Sequence, residues 1–275
     1  AFPTVHALAS APEQQVLTLW QGLGYYRRAR HLHAAAQIIV NAHRGTVPCD
    51  VETLLQLPGV GRYTAGAIAS IAYEVPAPIV DGNVARVLSR LMAWDHPKHD
   101  SSLQAGLWKL AATMVSTGTK TGARPSQCNQ ALMELGALIC TPAEPQCRGC
   151  PVKRWCRAFQ QGKQDSIPRL TSRKAPRAVE HHVFAVADRQ GRYPWVQRPS
   201  QGLWAAMWQL PTWETDRKPS KASMKAWLQQ QLGDSLDGWR PVMRFRHLTT
   251  HRRIDFVVWH KDRANIRIRE GQFYW

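Results

Sequence analysis

Apolar residues recur along the first part of this chain at the three-to-four-residue spacing of helices, and beyond residue 178 the spacing shortens towards two. From Thr4 to Ile139 the pattern predicts short helices near 4–9 and 12–20 and a longer one over 25–42. Helices over 51–56, 62–73, 82–92, 101–115 and 126–139 follow, punctuated by Gly and Pro. Ala65, Ile68, Ala69 and Ala72 form the expected buried face of the 62–73 helix. Val84, Val87, Leu88 and Leu91 form that of 82–92, which turns Arg86 and Arg90 outward. Residues 160–178, with Ile167-Pro168-Arg169 and Arg173-Lys174-Ala175-Pro176-Arg177, have no apolar period and read as a linker. After it Val183 to Ala187, Tyr193 to Gln197, Val242 to Phe245 and Ile254 to Trp259 read as strands, with a helix near 221–232. A mainly helical domain over 1–159 and an α+β domain over 179–275 are therefore expected.

Composition adds a partner to this outline. The 275 residues carry a formal charge of +17 and a pI near 10.2, and both halves are basic, the second more so. Lys and Arg at that surplus favour a polyanion, because phosphate contacts release condensed counterions. Nucleic acid is preferred to an anionic membrane, since no run of about 18 apolar residues occurs. Four of the six cysteines crowd between 140 and 156, with no signal peptide ahead of them, which points to a reducing compartment rather than a secreted disulfide framework. The chain starts at Ala1 without an initiator Met and reads as a processed form or a fragment.

Candidate chemistry gathers around one run. Leu57-Pro58-Gly59-Val60-Gly61 reads as a turn feeding the 62–73 helix, whose free N–H groups suit a phosphate. Val80-Asp81-Gly82-Asn83 then delivers a carboxylate, which could also be a plain helix N-cap. Tyr25-Tyr26-Arg27-Arg28-Ala29-Arg30, just after Gly22-Leu23-Gly24, mixes rings for stacking on bases with cations for phosphates. Cys140, Cys147, Cys150 and Cys156, spaced C-x6-C-x2-C-x5-C, can converge on zinc or an iron–sulfur cluster. With one C-x2-C knuckle rather than two, the cluster is favoured. Arg148, Lys153, Arg154 and Arg157 give the same loop a basic surface. Cys49 and Cys128 lie outside this spacing and read as small core residues.

The turn, the Asp81 loop and the cysteine spacing together resemble the helix-hairpin-helix DNA glycosylases. Leu19 to Tyr26, Leu57 to Ile68, Val80 to Val84, and Asn129-Gln130 leading through Glu134-Leu135-Gly136-Ala137 to Cys140 make the chain similar to the adenine DNA glycosylases of the MutY type over essentially its whole length. The resemblance implies an iron–sulfur helical domain and a Nudix-like domain. It implies removal of adenine mispaired with 8-oxoguanine or guanine in double-stranded DNA by base flipping, and a 4Fe-4S cluster on the four cysteines. A monomer acting in the cytoplasm or nucleoid of a bacterium, or in the nucleus or mitochondrion of a eukaryote, is expected.

Residue by residue, Asp81 matches the carboxylate that steadies the sugar cation, with Asn83 and Tyr63 beside it. Leu23 and Tyr25 match the wedge beside 8-oxoguanine, Pro58, Gly59, Val60 and Gly61 the backbone anchor, and Gln130 the contact to the flipped adenine. Cys128 stands where the family usually has Phe. Where endonuclease III-type lyases carry a Schiff-base lysine, this chain has Tyr63, whose phenol cannot form one, so a monofunctional enzyme is implied. In the second domain Val196 to Pro199, Gly202-Leu203-Trp204 and Trp208 to Pro211 carry the Nudix likeness. Glu214 stands alone where hydrolysis would need a glutamate cluster, so this domain is expected to recognise rather than hydrolyse. Thr249, Thr250 and His251 match the Phe-Ser-His loop that reads 8-oxoguanine, with the aromatic lost. The family's general acid is a glutamate that precedes the residues Ala1-Phe2-Pro3-Thr4 resembles, and Glu13 lies in the wrong segment to replace it. The family's closing helix is not found after Phe273-Tyr274-Trp275. The chain thus reads as cut short at both ends and is expected, alone, to excise adenine hardly at all. An endonuclease III-like lyase and a non-catalytic DNA-binding fragment stand as alternatives.

Overall fold

Short polar side chains start the helices of the first unit by accepting backbone N–H groups that have no partner inside the helix. The computed structural model describes residues 1–97, 100–169, 175–188, 190–216 and 218–262, in two compact units, Ala1–Ser172 and Arg173–Trp275. Thr4 caps α1 (Val5–Ser10), Asp50 caps α4 (Val51–Leu55), Asp81 caps α6 (Gly82–Met92) and Asp100 caps α7 (Ser101–Lys120). Between them lie α2 (Glu13–Leu19), α3 (Arg27–His43) and α5 (Arg62–Ala67). After them come α8 (Pro125–Glu134) and the short α9 (Arg157–Gln160). Two helices expected as single spans change pitch: α5 continues as a π turn over Ile68–Ala72, and α8 as another over Leu135–Ile139.

The first π turn corrects the expected face of 62–73. Ala65 and Ala69 are fully buried, but Ala72 is exposed and Ser70 takes an inward place. A π turn inserts one residue into the helical count, so positions beyond it rotate off the original stripe. Small residues are needed here for a second reason. A Cβ on Gly66 would run into the carbonyl oxygen of Pro78, so this glycine lets the proline loop lie on the helix. Two apolar clusters result, one around Leu54, Leu57, Ala65 and Ala69, the other around Ile79, Val84, Leu88, Leu103 and Leu107.

Within the expected 160–178 linker, Ile167 is 1% exposed and accepts a hydrogen bond from Arg90, so this part packs as core. Residues 170–174 lie outside the described ones. Cys49 is exposed and Cys128 only half-buried, against the expectation that both are core.

The second unit is built on a four-stranded sheet in the order β4-β1-β6-β5, from β1 (Arg177–Val186), β4 (Thr212–Thr215), β5 (Arg240–Leu248) and β6 (Arg252–Lys261). β1 runs parallel to β6 and the other pairs are antiparallel. β2 (Val196–Gln197) and β3 (Trp208–Gln209) form a separate ribbon, so the strand expected over 193–197 is only two residues long. One sheet face packs Phe184, Val186, Trp213 and Trp259 against Met224, Leu228 and Leu232 of α10 (Lys221–Leu232). The expected end at 273–275 lies outside the described residues.

Candidate functional site

Helix α6 connects most of the candidate chemistry of the first unit. At its start Asp81 Oδ1 accepts from Val84 N at 2.7 Å, so the plain capping role is real. The carboxylate is still half-exposed. Tyr63 of α5 packs on the same apolar cluster as Val84. Burial first, and then the negative charge of Asp81, push its phenol above the ordinary value. Tyr63 therefore stays a neutral hydroxyl near a carboxylate at neutral pH.

Arg86 and Arg90 do not face solvent as their position opposite the apolar stripe predicts. They are 9% and 2% exposed. The face of α6 away from the core is covered by the cysteine loop, which follows about fifty residues later and so leaves no mark on the local period. Arg86 Nε donates to Cys140 O at 2.7 Å, and its Nη2 donates to Gly136 O at 2.6 Å and Asn83 Oδ1 at 3.0 Å. Arg90 donates to Ile167 O at 2.8 Å, Thr141 O at 2.7 Å, Pro142 O at 3.3 Å and Cys140 Sγ at 3.3 Å. Helix C-terminal ends and turns offer free carbonyls, and two guanidinium forks fill them. Asn83, beside Asp81, is thus tied through one arginine to the loop that holds Cys140. Gly136 completes the contact, since a Cβ there would meet the Asn83 side chain at 2.9 Å.

All four cysteines of the expected set line one cavity, with Val87, Leu91, Leu135, Ile139 and Phe159 as its apolar walls. None is in a disulfide. Burial, followed by the neighbouring Cys140, Cys156 and Cys150, raises the Cys147 thiol. Four thiolates would repel one another there without a cationic centre. Among the described residues no three His, Cys, Asp or Glu side chains converge tightly enough to hold a single metal ion. Four soft thiol donors around one apolar-walled cavity are a donor set that fits an iron–sulfur cluster.

Other candidates sit on separate exposed edges. Leu23 and Tyr25 are 63% and 72% exposed on the loop before α3, with Tyr25 in the left-handed region and the Arg28 guanidinium 5.4 Å from its ring. In the turn between α4 and α5, Gly59 has φ +78° and lies directly on His31 of α3, while Val60 N closes the turn onto Leu57 O at 3.1 Å. Pro58 and Val60 are half-buried, and Gly59 and Gly61 open to solvent, just before Tyr63. Gln130 is exposed on α8, next to the buried Asn129, whose Nδ2 donates to Ser70 Oγ at 2.7 Å and Ala77 O at 2.8 Å.

Two residues that sequence reasoning missed hold α8 in place. Glu74, in the left-handed region, accepts from Ser126 Oγ at 2.6 Å and Ser126 N at 3.0 Å, capping α8 from the loop that follows the Ile68–Ala72 π turn. The Ser126 bonds hold its carboxyl below the ordinary value. A depressed folded value adds stability above the unfolded one, and that stability is lost as pH falls through the folded value. Denaturant titrations should find wild type more stable than Glu74→Gln at neutral pH, with the gap closing in acid. An equal gap at both would remove the ionised carboxylate from this account.

In the second unit Thr249 to His251 form the tight connection of β5 to β6, closed by Thr249 N to Arg252 O at 2.8 Å and Arg252 N to Thr249 Oγ1 at 3.0 Å. Thr250 and His251 are exposed. Glu214 is not isolated: Arg198 Nη1 lies 2.5 Å from Oε1 and His181 Nε2 lies 3.7 Å from Oε2. Among the described residues no helix is long and apolar enough to cross a membrane.

Comparison with known proteins gives this arrangement relatives. Residues 1–113 match the family described as HhH-GPD superfamily base excision DNA repair protein, and residues 182–274 match the NUDIX domain. The chain is 37% identical to the adenine DNA glycosylase of Homo sapiens, covering 90% of this chain and 52% of the human protein. It is 31% identical to that of Schizosaccharomyces pombe, covering 99% of this chain and 69% of the yeast protein. A solved thermostable thymine-DNA glycosylase is 28% identical at a TM-score of 0.49, over 57% of this chain and 70% of that one. The chain thus spans about half the length of its mammalian relatives. With an HhH-GPD helical domain ahead of a Nudix domain and this likeness along nearly its whole length, the chain belongs to the adenine DNA glycosylase family.

Proposed function

We propose that the protein removes adenine mispaired with 8-oxoguanine or guanine in double-stranded DNA, by hydrolysing the N-glycosidic bond of a flipped nucleotide. The carrying observation is the half-exposed Asp81 carboxylate with Tyr63 packed beside it. Cleaving that bond builds positive charge on the sugar and negative charge on the leaving base, and a fixed carboxylate stabilises the first. Asn83 holds the rim of the site through Arg86. Leu23 and Tyr25 wedge into the stack beside 8-oxoguanine, the Pro58 to Gly61 turn binds a backbone phosphate through its amides, and Gln130 reads the flipped adenine.

Cys140, Cys147, Cys150 and Cys156 hold a 4Fe-4S cluster, which gives the basic loop a rigid frame when bound. The domains divide at the 160–178 segment, and the second recognises 8-oxoguanine through Thr249, Thr250 and His251 without hydrolysing a nucleotide. The protein works where DNA is kept, in a bacterial nucleoid or a eukaryotic nucleus or mitochondrion.

The test is single-turnover release of adenine by the full-length protein from a duplex with one 8-oxoguanine:adenine pair, beside a duplex with thymine:adenine. Release from the first alone is expected. Because the residue at 63 is a phenol, borohydride should trap no covalent adduct; a trapped adduct would favour the lyase reading.

A further inference from the structure

In the second unit, the sheet face opposite α10 aligns Arg177, Val179 and His181 of β1 with Arg252, Ile254 and Phe256 of β6, and pairs His181 with Glu214 of β4. Beside Trp204, which meets the His181 ring edge-on, a cavity of about 140 Å3 opens between Arg177, His181, Glu214, Asp216 and Arg252. His181 is 1% exposed, yet neither ring nitrogen has a hydrogen-bond partner among the described residues. Its nearest carboxylate, Glu214 at 3.7 Å, is beyond hydrogen-bond reach. Buried polar atoms are nearly always paired, so a histidine left unpaired at the wall of a polar cavity asks for a ligand atom there.

The charges around the cavity give the ligand its sign. Each carboxylate already has a guanidinium: Glu214 has Arg198, and Asp216 has Arg177. Arg252 enters no ion pair among the described residues and lies close enough to His181 to disfavour its protonation. One uncommitted guanidinium, a second at the rim and an imidazole N–H without an acceptor make a donor set for an oxyanion.

We propose that this cavity binds a phosphate group, with His181 giving a hydrogen bond to one oxygen and Arg252 supplying the charge. The group comes from free phosphate or a nucleotide, or from the DNA backbone. Arg177 N donates to His251 O at 3.0 Å, so the cavity adjoins the connection assigned above to 8-oxoguanine. A DNA source would place a backbone phosphate beside the base being read; that source rests on the proposed function, whereas the pocket does not.

The probe is inorganic phosphate, titrated into the full chain at constant ionic strength with chloride as the balancing anion, while the His181 imidazole resonances are followed by NMR. A saturable shift is expected, and Arg252→Gln should weaken the dissociation constant by about tenfold or more. Arg252→Lys, which keeps the charge but loses the fork, should weaken it less and covers the case in which the glutamine variant does not fold. His181 resonances that do not move, or a titration that is the same in a folded Arg252 variant, overturn the proposal. Competition by an undamaged duplex identifies DNA as the source, and tighter binding of a deoxynucleoside monophosphate without such competition identifies a nucleotide. Adenine excision by the full-length protein reports separately on the proposed reaction.

Discussion

Asp81→Asn should leave the helical unit folded and, in the full-length protein, lower adenine excision by about a hundredfold or more. The two halves of this expectation separate because Asp81 caps α6 and is proposed to act on the sugar as well. As the N-cap of α6 it accepts from Val84 N at 2.7 Å, and asparagine caps about as well as aspartate, so thermal unfolding should move little. As a carboxylate near Tyr63 it would supply the negative charge that stabilises the developing sugar cation, and a neutral amide cannot replace that. Asp81→Ala would lose both, adding about 1 kcal/mol of lost cap stability to the lost rate. The readouts are single-turnover excision at saturating enzyme and the thermal midpoint of each variant. A normal rate in a folded Asp81→Asn variant would sink the catalytic assignment and leave only the cap.

Arg90→Leu should cost about 3–5 kcal/mol of stability and remove the brown colour expected of an iron–sulfur cluster. The arginine is 2% exposed, lines the cysteine cavity itself, and reaches Cys140 of that cavity as well as Ile167, Thr141 and Pro142. A leucine of similar bulk would fill the volume but strand the buried Ile167 carbonyl and leave the half-buried Thr141 carbonyl without its donor, and an unpaired buried carbonyl costs about 1–3 kcal/mol. Arg90→Lys keeps one charge without the planar fork and should fall between. Visible absorbance, iron content and denaturant unfolding of the purified variants check this. Retained colour and wild-type stability in Arg90→Leu would show that the loop holds itself.

How much of the site could be read along the chain depends on where each residue's partners lie. Asp81, the turn at Pro58 to Gly61 and the four cysteines announce themselves through short-range features: a cap position, a glycine at positive φ, a compact thiol spacing. Arg86 and Arg90 do not, since all their acceptors but Asn83 lie from 50 to 77 residues away. A helical wheel of α6 turns them outward because it shows only the face that meets α7 and α8. Glu74 escapes for a similar reason, as it caps a helix 52 residues further on. His181 is harder still: in sequence it is one of two adjacent histidines in a strand, and nothing local says that its nitrogens will be buried without partners.

The sequence by itself determined the helical and mixed character of the two halves, their basic charge, the place of the carboxylate, and the thiol set. These follow from periods, caps and spacings within about twenty residues, where local sterics and hydrogen bonding dominate. Tertiary structure alone decided that the second face of α6 is buried under the cysteine loop, so that Arg86 joins Asn83 to Cys140 and Arg90 binds the same loop rather than meeting solvent. It also decided that π turns rotate Ala72 out and Ser70 in, and that a polar cavity opens beside a buried histidine. Each depends on which distant carbonyl, carboxylate or ring comes to fill a hydrogen bond or a face, and that is settled only when the chain packs.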